Sequence, residues 1–126
     1  MGAIGKAGVS SFKFESLDEN TYQNPLSSVS GAIYKKIVNA DTSNRPSSKQ
    51  ELDISKIHSI QESLDKENLE SMMKMSISQL KQLGDITIYK IDNTYYVDDG
   101  NHRLAALKAK GVKSMNFNVV DLNRRK

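Results

Sequence analysis

A run of polar residues in the last third of the chain has the residue types and spacing needed for phosphate chemistry. It reads Asp98-Asp99-Gly100-Asn101-His102-Arg103, between the β-prone run Thr94-Tyr-Tyr-Val and the helix-prone run Leu104-Ala-Ala-Leu. A glycine turn that opens a helix presents free backbone N–H groups and the positive end of the helix dipole to an anion. Arg103 has donors that match phosphate oxygens, and His102 titrates near neutral pH. The segment therefore predicts a phosphate-binding turn.

The two carboxylates before the turn allow further hypotheses. Asp98 and Asp99 either hold a divalent cation such as Mg²⁺ or supply a base. The same residues also fit an ordinary turn and helix cap, in which Arg103 pairs with Asp98 at the surface. The residue pattern alone leaves both interpretations open.

Local patterns predict the elements that position this turn. A β-hairpin is expected from the runs 86–91 and 94–97, because Asp92-Asn93 tolerates the positive backbone angles of a tight turn. A short helix follows the polar run and ends at Gly111, and the alternation of Met115, Phe117 and Val119 with asparagines predicts a half-buried strand.

Upstream of the hairpin, a second helix and a short strand are expected. Asp65 is a good helix cap, and apolar residues recur at spacings of three and four as far as Leu80, so one helix is predicted to run to Leu83, before Gly84. Leu52, Ile54 and Ile57 indicate a short strand that leads into a turn over 59–63. Strands and helices in this order predict the α+β class.

The first fifty residues have a different character. They are rich in Ser, Asn, Thr and Gly, so a loop-rich segment over 1–50 and a domain over 51–126 are predicted. One helix is expected from Ser28, with Val29, Ile33 and Ile37 on one face. Phe12 and Phe14, two residues apart, suggest a short edge strand.

Composition and charge exclude several classes of protein. The 126 residues include no cysteine, which excludes disulfide scaffolds, thiolate metal sites and thiol nucleophiles. No apolar run is long enough for a membrane helix, so the sequence predicts a soluble domain without a membrane partner. Residues 101–126 carry 7 basic and 1 acidic residues, a basic segment behind an acidic middle.

The polar turn and its surroundings resemble a known superfamily. The stretch Tyr96-Val-Asp-Asp-Gly-Asn-His-Arg-Leu-Ala-Ala-Leu is similar to the signature of the ParB/sulfiredoxin superfamily, and 52–61 resembles its opening strand. The resemblance covers about seventy residues and implies a small mixed sheet with flanking helices. It places Asp99, Gly100, His102 and Arg103 at a phosphate-binding turn that Gln61 faces.

The resemblance implies roles for the residues of the turn. Asp99, His102, Arg103 and Gln61 are the expected catalytic residues, and Gly100, Asn101 and Arg103 the expected phosphate contacts. Alanine at His102 or Arg103 is expected to abolish activity and leave the fold intact. The chain departs from the sulfiredoxins by having Asn101 where they have a cysteine, which excludes sulfinic acid repair.

The leading functional hypothesis is a ParB-like nuclease that acts on DNA or RNA. The residues expected to follow the nucleic acid backbone are Lys108, Lys113, Arg124 and Arg125. The resemblance extends to toxin domains, which implies secretion into a target cell and an immunity protein as partner. The alternatives are a phosphotransferase or nucleotide-binding switch that uses ATP or CTP, and an adaptor without catalysis.

Overall fold

The computed structural model describes residues 13–27 and 31–123. The strands in chain order are β1 (Thr21–Gln23), β2 (Ser47–Asp53), β3 (Ile57–Ser59), β4 (Ser63–Asp65), β5 (Thr87–Ile91), β6 (Thr94–Val97) and β7 (Ser114–Asp121). The helices are α1 (Gly31–Val38), α2 (Lys66–Met73), α3 (Ile77–Lys81) and α4 (Asn101–Ala109).

Five of the strands form one mixed sheet in the order β2-β7-β5-β6-β3. The pairs β2/β7 and β5/β6 are antiparallel, and the pairs β5/β7 and β3/β6 are parallel. A separate antiparallel pair joins β1 to β4. The α+β class and the small mixed sheet expected from the sequence are therefore confirmed.

The main hydrophobic core lies between the sheet and the helices α2, α3 and α4. It contains Leu69, Leu80 and Leu104 from the helices and Ile88 and Phe117 from the sheet, all fully buried. Burial of large aliphatic and aromatic side chains is the main stabilising contribution to such a fold.

A smaller cluster lies on the opposite face of the sheet, under α1. Ile33 and Ile37 of that helix pack with Ile91 and Tyr96 of the sheet. The apolar residues whose four-residue spacing predicted this helix are thus the ones that pack against the second face of the sheet.

The helix predicted after Asp65 is divided into two. Asp65 caps α2 as expected, since its side chain accepts from the Asn68 N–H at 2.9 Å. The helix ends at Met73, and Ser76 begins α3 with a capping box in which Ser76 and Gln79 each bond the other's backbone N–H. The apolar spacing continues through the break, which is why periodicity predicted one helix. Gly84 has the expected positive φ, 105°.

The strand predicted from Leu52 to Ile57 is also divided. Asp53 ends β2 by accepting from the N–H and hydroxyl of Ser55, at 2.9 and 2.8 Å, which starts a short 3₁₀ turn over 54–56. The chain then crosses to the other edge of the sheet as β3. The strand β2 begins at Ser47 and so spans residues 50 and 51, where the sequence predicts the domain boundary.

The amino-terminal segment differs from the prediction in the position of its strand. Phe14 is not in a strand, and Phe12 lies outside the described residues. The strand in this region is instead β1, whose partner β4 occupies part of the predicted turn. The predicted helix is present from Gly31, and 28–30 lie outside the described residues.

Candidate functional site

The predicted phosphate-binding turn lies where two parallel strands end and α4 begins. Since β3 and β6 are parallel, their carboxyl ends meet at one edge of the sheet. This places Gln61, which follows β3, beside the turn over 98–101 that follows β6. The Asn101 amide Nδ2 donates to Gln61 Oε1 at 3.2 Å, so the structure brings these two expected site residues together.

Gly100 gives the turn its shape. It precedes α4 in the left-handed conformation, with φ 94° and ψ 18°, where L side chains are strained. Among the described residues, no side chain caps α4. The N–H groups of the first turn of a helix have no intrahelical acceptor, and the helix dipole makes this end favourable for an anion. The turn therefore has the backbone geometry of an anion-binding site.

The two carboxylates before the turn have different environments. Asp99 is exposed, and its Oδ1 accepts from the Gly100 N–H at 3.0 Å. Asp98 is half-buried, and burial, with the Asp99 charge as a second cause, raises its pKa above the ordinary value. Val97 is in the main core, so the alternation of the strand directs Asp98 to the opposite face of the sheet.

The donor set at this turn does not fit a cation held by the protein alone. Within residues 13–27 and 31–123, no group of three or more His, Asp or Glu side chains has the arrangement of a metal site. Asp98 and Asp99 alone would leave most of the octahedral positions of Mg²⁺ to water and substrate.

His102 makes a structural contact. Its Nε2 accepts from the backbone N–H of Asp65 at 2.9 Å, which joins α4 to the start of α2. Burial lowers the pKa of His102, and the Asp65 charge opposes this in part. Because Nε2 accepts this bond, the ring in this arrangement carries its proton on Nδ1. This contact competes with the catalytic role expected from the sequence.

Arg103 is also tied to the fold. The residue is 9% exposed, and its Nη1 donates to Gly84 O at 2.8 Å and to Leu80 O at 3.3 Å. Burial lowers its pKa, while Asp99 and Asp85 raise it. All hydrogen bonds from this guanidinium to the described part of the chain come from Nη1, and no buried nitrogen there lacks a partner. Nε and Nη2 make no hydrogen bond to the described part of the chain.

A buried polar network beside the turn includes two residues that sequence reasoning missed. Asn24 and Ser59 are 1% and 0% exposed, and both donate to Asn101 Oδ1. Asn101 Nδ2 donates to the Asp98 carbonyl at 2.7 Å as well as to Gln61. The side chain of Asn101 thus has no capacity left for phosphate, and its expected contact falls to its backbone N–H. Nothing in the local pattern marks Asn24, which lies in the loop-rich segment.

The basic residues expected to follow a nucleic acid are only partly described. Lys108 and Lys113 line one cavity of about 370 Å³ at the carboxyl end of α4, together with Asp53. Arg124 and Arg125 lie outside the described residues. At a rise of 1.5 Å per residue, Lys108 lies about 10 Å along the helix from Asn101.

Comparison with known proteins identifies the family. The model of the ParB N-terminal domain matches residues 38–126. The chain belongs to the ParB N-terminal domain family. This match includes the turn, Gln61 and the whole five-stranded sheet, so the superfamily indicated by the sequence is confirmed.

A solved structure is similar to this ParB N-terminal domain. The crystal structure of sulfiredoxin from Arabidopsis thaliana is 26% identical, with 63% of this chain and 86% of that chain covered and a TM-score of 0.48. No curated protein matches the chain significantly.

None of the helices in the described residues is long and apolar enough to cross a membrane.

Proposed function

We propose that this ParB N-terminal domain is a nuclease whose turn at Gly100 binds the phosphate that is cleaved. The observation that supports this most is the uncapped amino end of α4, where a left-handed glycine leaves the first-turn amides without a side-chain acceptor. Amides fixed in this way stabilise the charge that develops on phosphate oxygens without reorganising during the reaction.

The environments of the side chains suggest how the roles are divided. Asp99 is the exposed carboxylate beside the turn and is the proposed base. It takes a proton from water, the hydroxide forms a new P–O bond, the P–O bond to the leaving oxygen breaks, and that oxygen takes a proton from solvent. Nε and Nη2 of Arg103 bind the phosphate. His102 and Gln61, whose ring or amide groups are bonded within the protein, are proposed to position the turn.

The lysines at the far end of α4 support a polymeric substrate. About 10 Å separates Lys108 from the turn along the helix, which corresponds to roughly three nucleotide steps of about 3.4 Å. A nucleic acid bound at Gly100 carries further phosphates that Lys108 and Lys113 are proposed to contact.

Incubation with plasmid DNA and with total RNA, with magnesium or with chelator, tests the proposal. The wild type should cleave one of these substrates, and Asp99→Asn should lose about 100-fold or more in rate. Cleavage at the wild-type rate by this variant would exclude Asp99 as the base, and the absence of cleavage under every condition would refute the nuclease.

The contribution of the basic residues is tested by the salt dependence of binding. Neutralising Lys108 and Lys113 should reduce the slope of log affinity against log salt by up to about 0.9 per contact on duplex DNA. Lys35→Ala/Lys36→Ala on α1 is the matched control, because it removes the same charge away from the cavity. The pair Arg124 and Arg125 is tested in the same way. Equal slopes in all variants would contradict a polymer that contacts these basic residues.

A second candidate function is a nucleotide-binding switch. The contacts of His102 Nε2 with Asp65 N and of Arg103 Nη1 with two carbonyls favour it, because a turn whose side chains are engaged within the protein suits binding better than hydrolysis. Labelled ATP and CTP would then bind without cleavage of nucleic acid. An adaptor would bind neither. The toxin role and the immunity partner stay predictions from the resemblance.

A further inference from the structure

Residues 13–27 precede the region that matches the family, yet they pack against the candidate site. The Tyr22 hydroxyl donates to Glu70 of α2 at 2.9 Å. At the other end of the segment, the Ser59 N–H donates to Leu26 O at 2.8 Å, and Ser27 forms a parallel bridge with Ser59. The segment is thus held on both sides of Asn24.

Asn24 uses all its polar groups within this contact. Its Nδ2 donates to Gln61 O at 2.9 Å and to Asn101 Oδ1 at 3.4 Å. Its Oδ1 accepts from the Leu26 N–H at 3.0 Å, and its own N–H donates to Glu62 O at 2.9 Å. Asn24 is 1% exposed, so each of these bonds replaces one that water would have supplied.

Backbone groups fix the orientation of every amide in the network. Asn24 Nδ2 must face a carbonyl, Gln61 O, and Oδ1 must face the Leu26 N–H. Asn101 Nδ2 must likewise face the Asp98 carbonyl, which leaves Oδ1 for Asn24 and Ser59. Since carbonyls only accept and N–H groups only donate, none of these amides can be rotated without breaking a bond.

We propose that Asn24 is a positioning residue of the phosphate-binding turn, and that residues 13–27 are therefore part of the functional site. Asn101 is the first residue of α4, so the bonds that hold its side chain also hold its N–H and the N–H groups that follow it. Asn24 reaches the turn through Asn101 and Gln61 and touches no substrate itself. The effect on phosphate binding rests on the proposed function, whereas the effect on the turn does not.

The variant Asn24→Asp changes one group and keeps the shape. At a pH where it is ionised, the carboxylate still accepts from the Leu26 N–H, but its second oxygen faces Gln61 O and Asn101 Oδ1, where a donor is required. The network cannot adapt by rotating Asn101, because Asp98 O fixes that amide. Tyr22→Phe is the matched control: it removes the bond to Glu70 in the same segment and leaves the network intact.

Amide hydrogen exchange of the full chain tests the position of the turn. The Leu104 N–H bonds Gly100 O at 2.9 Å and closes the first turn of α4. In Asn24→Asp its exchange should accelerate at least tenfold more than that of core amides such as Ile88, whereas in Tyr22→Phe both should change by the same factor. Equal acceleration of the two amides in Asn24→Asp would overturn the proposal.

Two further measurements cover the other outcomes. If Asn24→Asp does not fold, the wild type decides: the side-chain amides of Asn24 and Asn101 should exchange slowly, and rapid exchange would overturn the network. Inorganic phosphate titrated into the wild type should shift the amide signals of 100–103, with about tenfold weaker binding in Asn24→Asp. A turn that loosens in the variant while the wild type binds no phosphate would refute the proposed function and keep the positioning role.

Discussion

Replacing Arg103 by alanine is expected to destabilise the fold. The sequence alone predicts that the fold tolerates this change, but the side chain is 9% exposed and its Nη1 bonds Gly84 O at 2.8 Å and Leu80 O at 3.3 Å. A hydrogen bond from a charged donor contributes about 1.5–3 kcal/mol, and the longer contact is at the weak end. With the aliphatic stem also lost from the core edge, the free energy of unfolding should fall by about 2–4 kcal/mol.

Urea unfolding followed by circular dichroism measures this change. The control is Lys113→Ala, an exposed cation whose loss should change the free energy of unfolding by no more than about 0.5 kcal/mol. Arg103→Lys keeps the charge and one donor nitrogen, so its free energy of unfolding should fall between those of wild type and Arg103→Ala. If Arg103→Ala unfolds within about 0.5 kcal/mol of wild type, the two carbonyl contacts do not stabilise the protein and the reasoning is wrong.

Three further predictions concern the turn and its neighbours. Burial lowers the pKa of His102, so the folded protein binds fewer protons than the unfolded chain, and the free energy of unfolding should fall as the pH decreases below about 6.5. In urea titrations across this pH range, His102→Gln should remove this dependence on pH, whereas the control His58→Gln should keep it. Burial raises the pKa of Asp98, so the folded state favours the protonated carboxyl, and this contribution to stability is lost as the pH rises through that pKa. At pH 7, Asp98→Asn should therefore unfold at a higher urea concentration than wild type, and near pH 3 the two should unfold at similar concentrations. Gly100→Ala should lower the free energy of unfolding by about 1–2 kcal/mol, measured by thermal or urea unfolding, because φ is positive at this position. The added Cβ would meet Ile86 at 3.4 Å, an ordinary contact distance, so no steric clash contributes. An unchanged stability would contradict this backbone argument.

The elements that the sequence predicted well are marked by residues that tolerate a positive φ. The hairpin follows from Asp92, which has φ 55°, and the end of the last helix from Gly111, which has φ 92°. The two breaks that it missed depend on short polar contacts, the Ser76 capping box and the Asp53 turn, inside stretches whose apolar spacing continues. The spacing of apolar residues shows which face of an element is buried. It does not show that the chain changes direction at one polar residue, as it does at Asp53 and Ser76.

In the candidate site, the predicted and the missed features differ in sequence separation. The turn itself was predicted, because a glycine before a helix and its polar neighbours are adjacent in the chain. The contacts of Arg103 depend on where α3 ends, and the place of Asn24 depends on the packing of a distant segment. Such contacts join residues far apart in sequence, such as Asn24 and Asn101, and no local pattern contains them.

The position of β7 in the sheet has a consequence for how the protein is made. This strand lies between β2 and β5, so residues 47–53 have no pairing strand in the five-stranded sheet until residues 114–121 have been synthesised. On the ribosome, the nascent chain therefore cannot complete the five-stranded sheet until residues 114–121 have emerged. The turn at Gly100 precedes β7 in the chain, so the sheet that carries this turn gains this strand only after the turn itself has been synthesised.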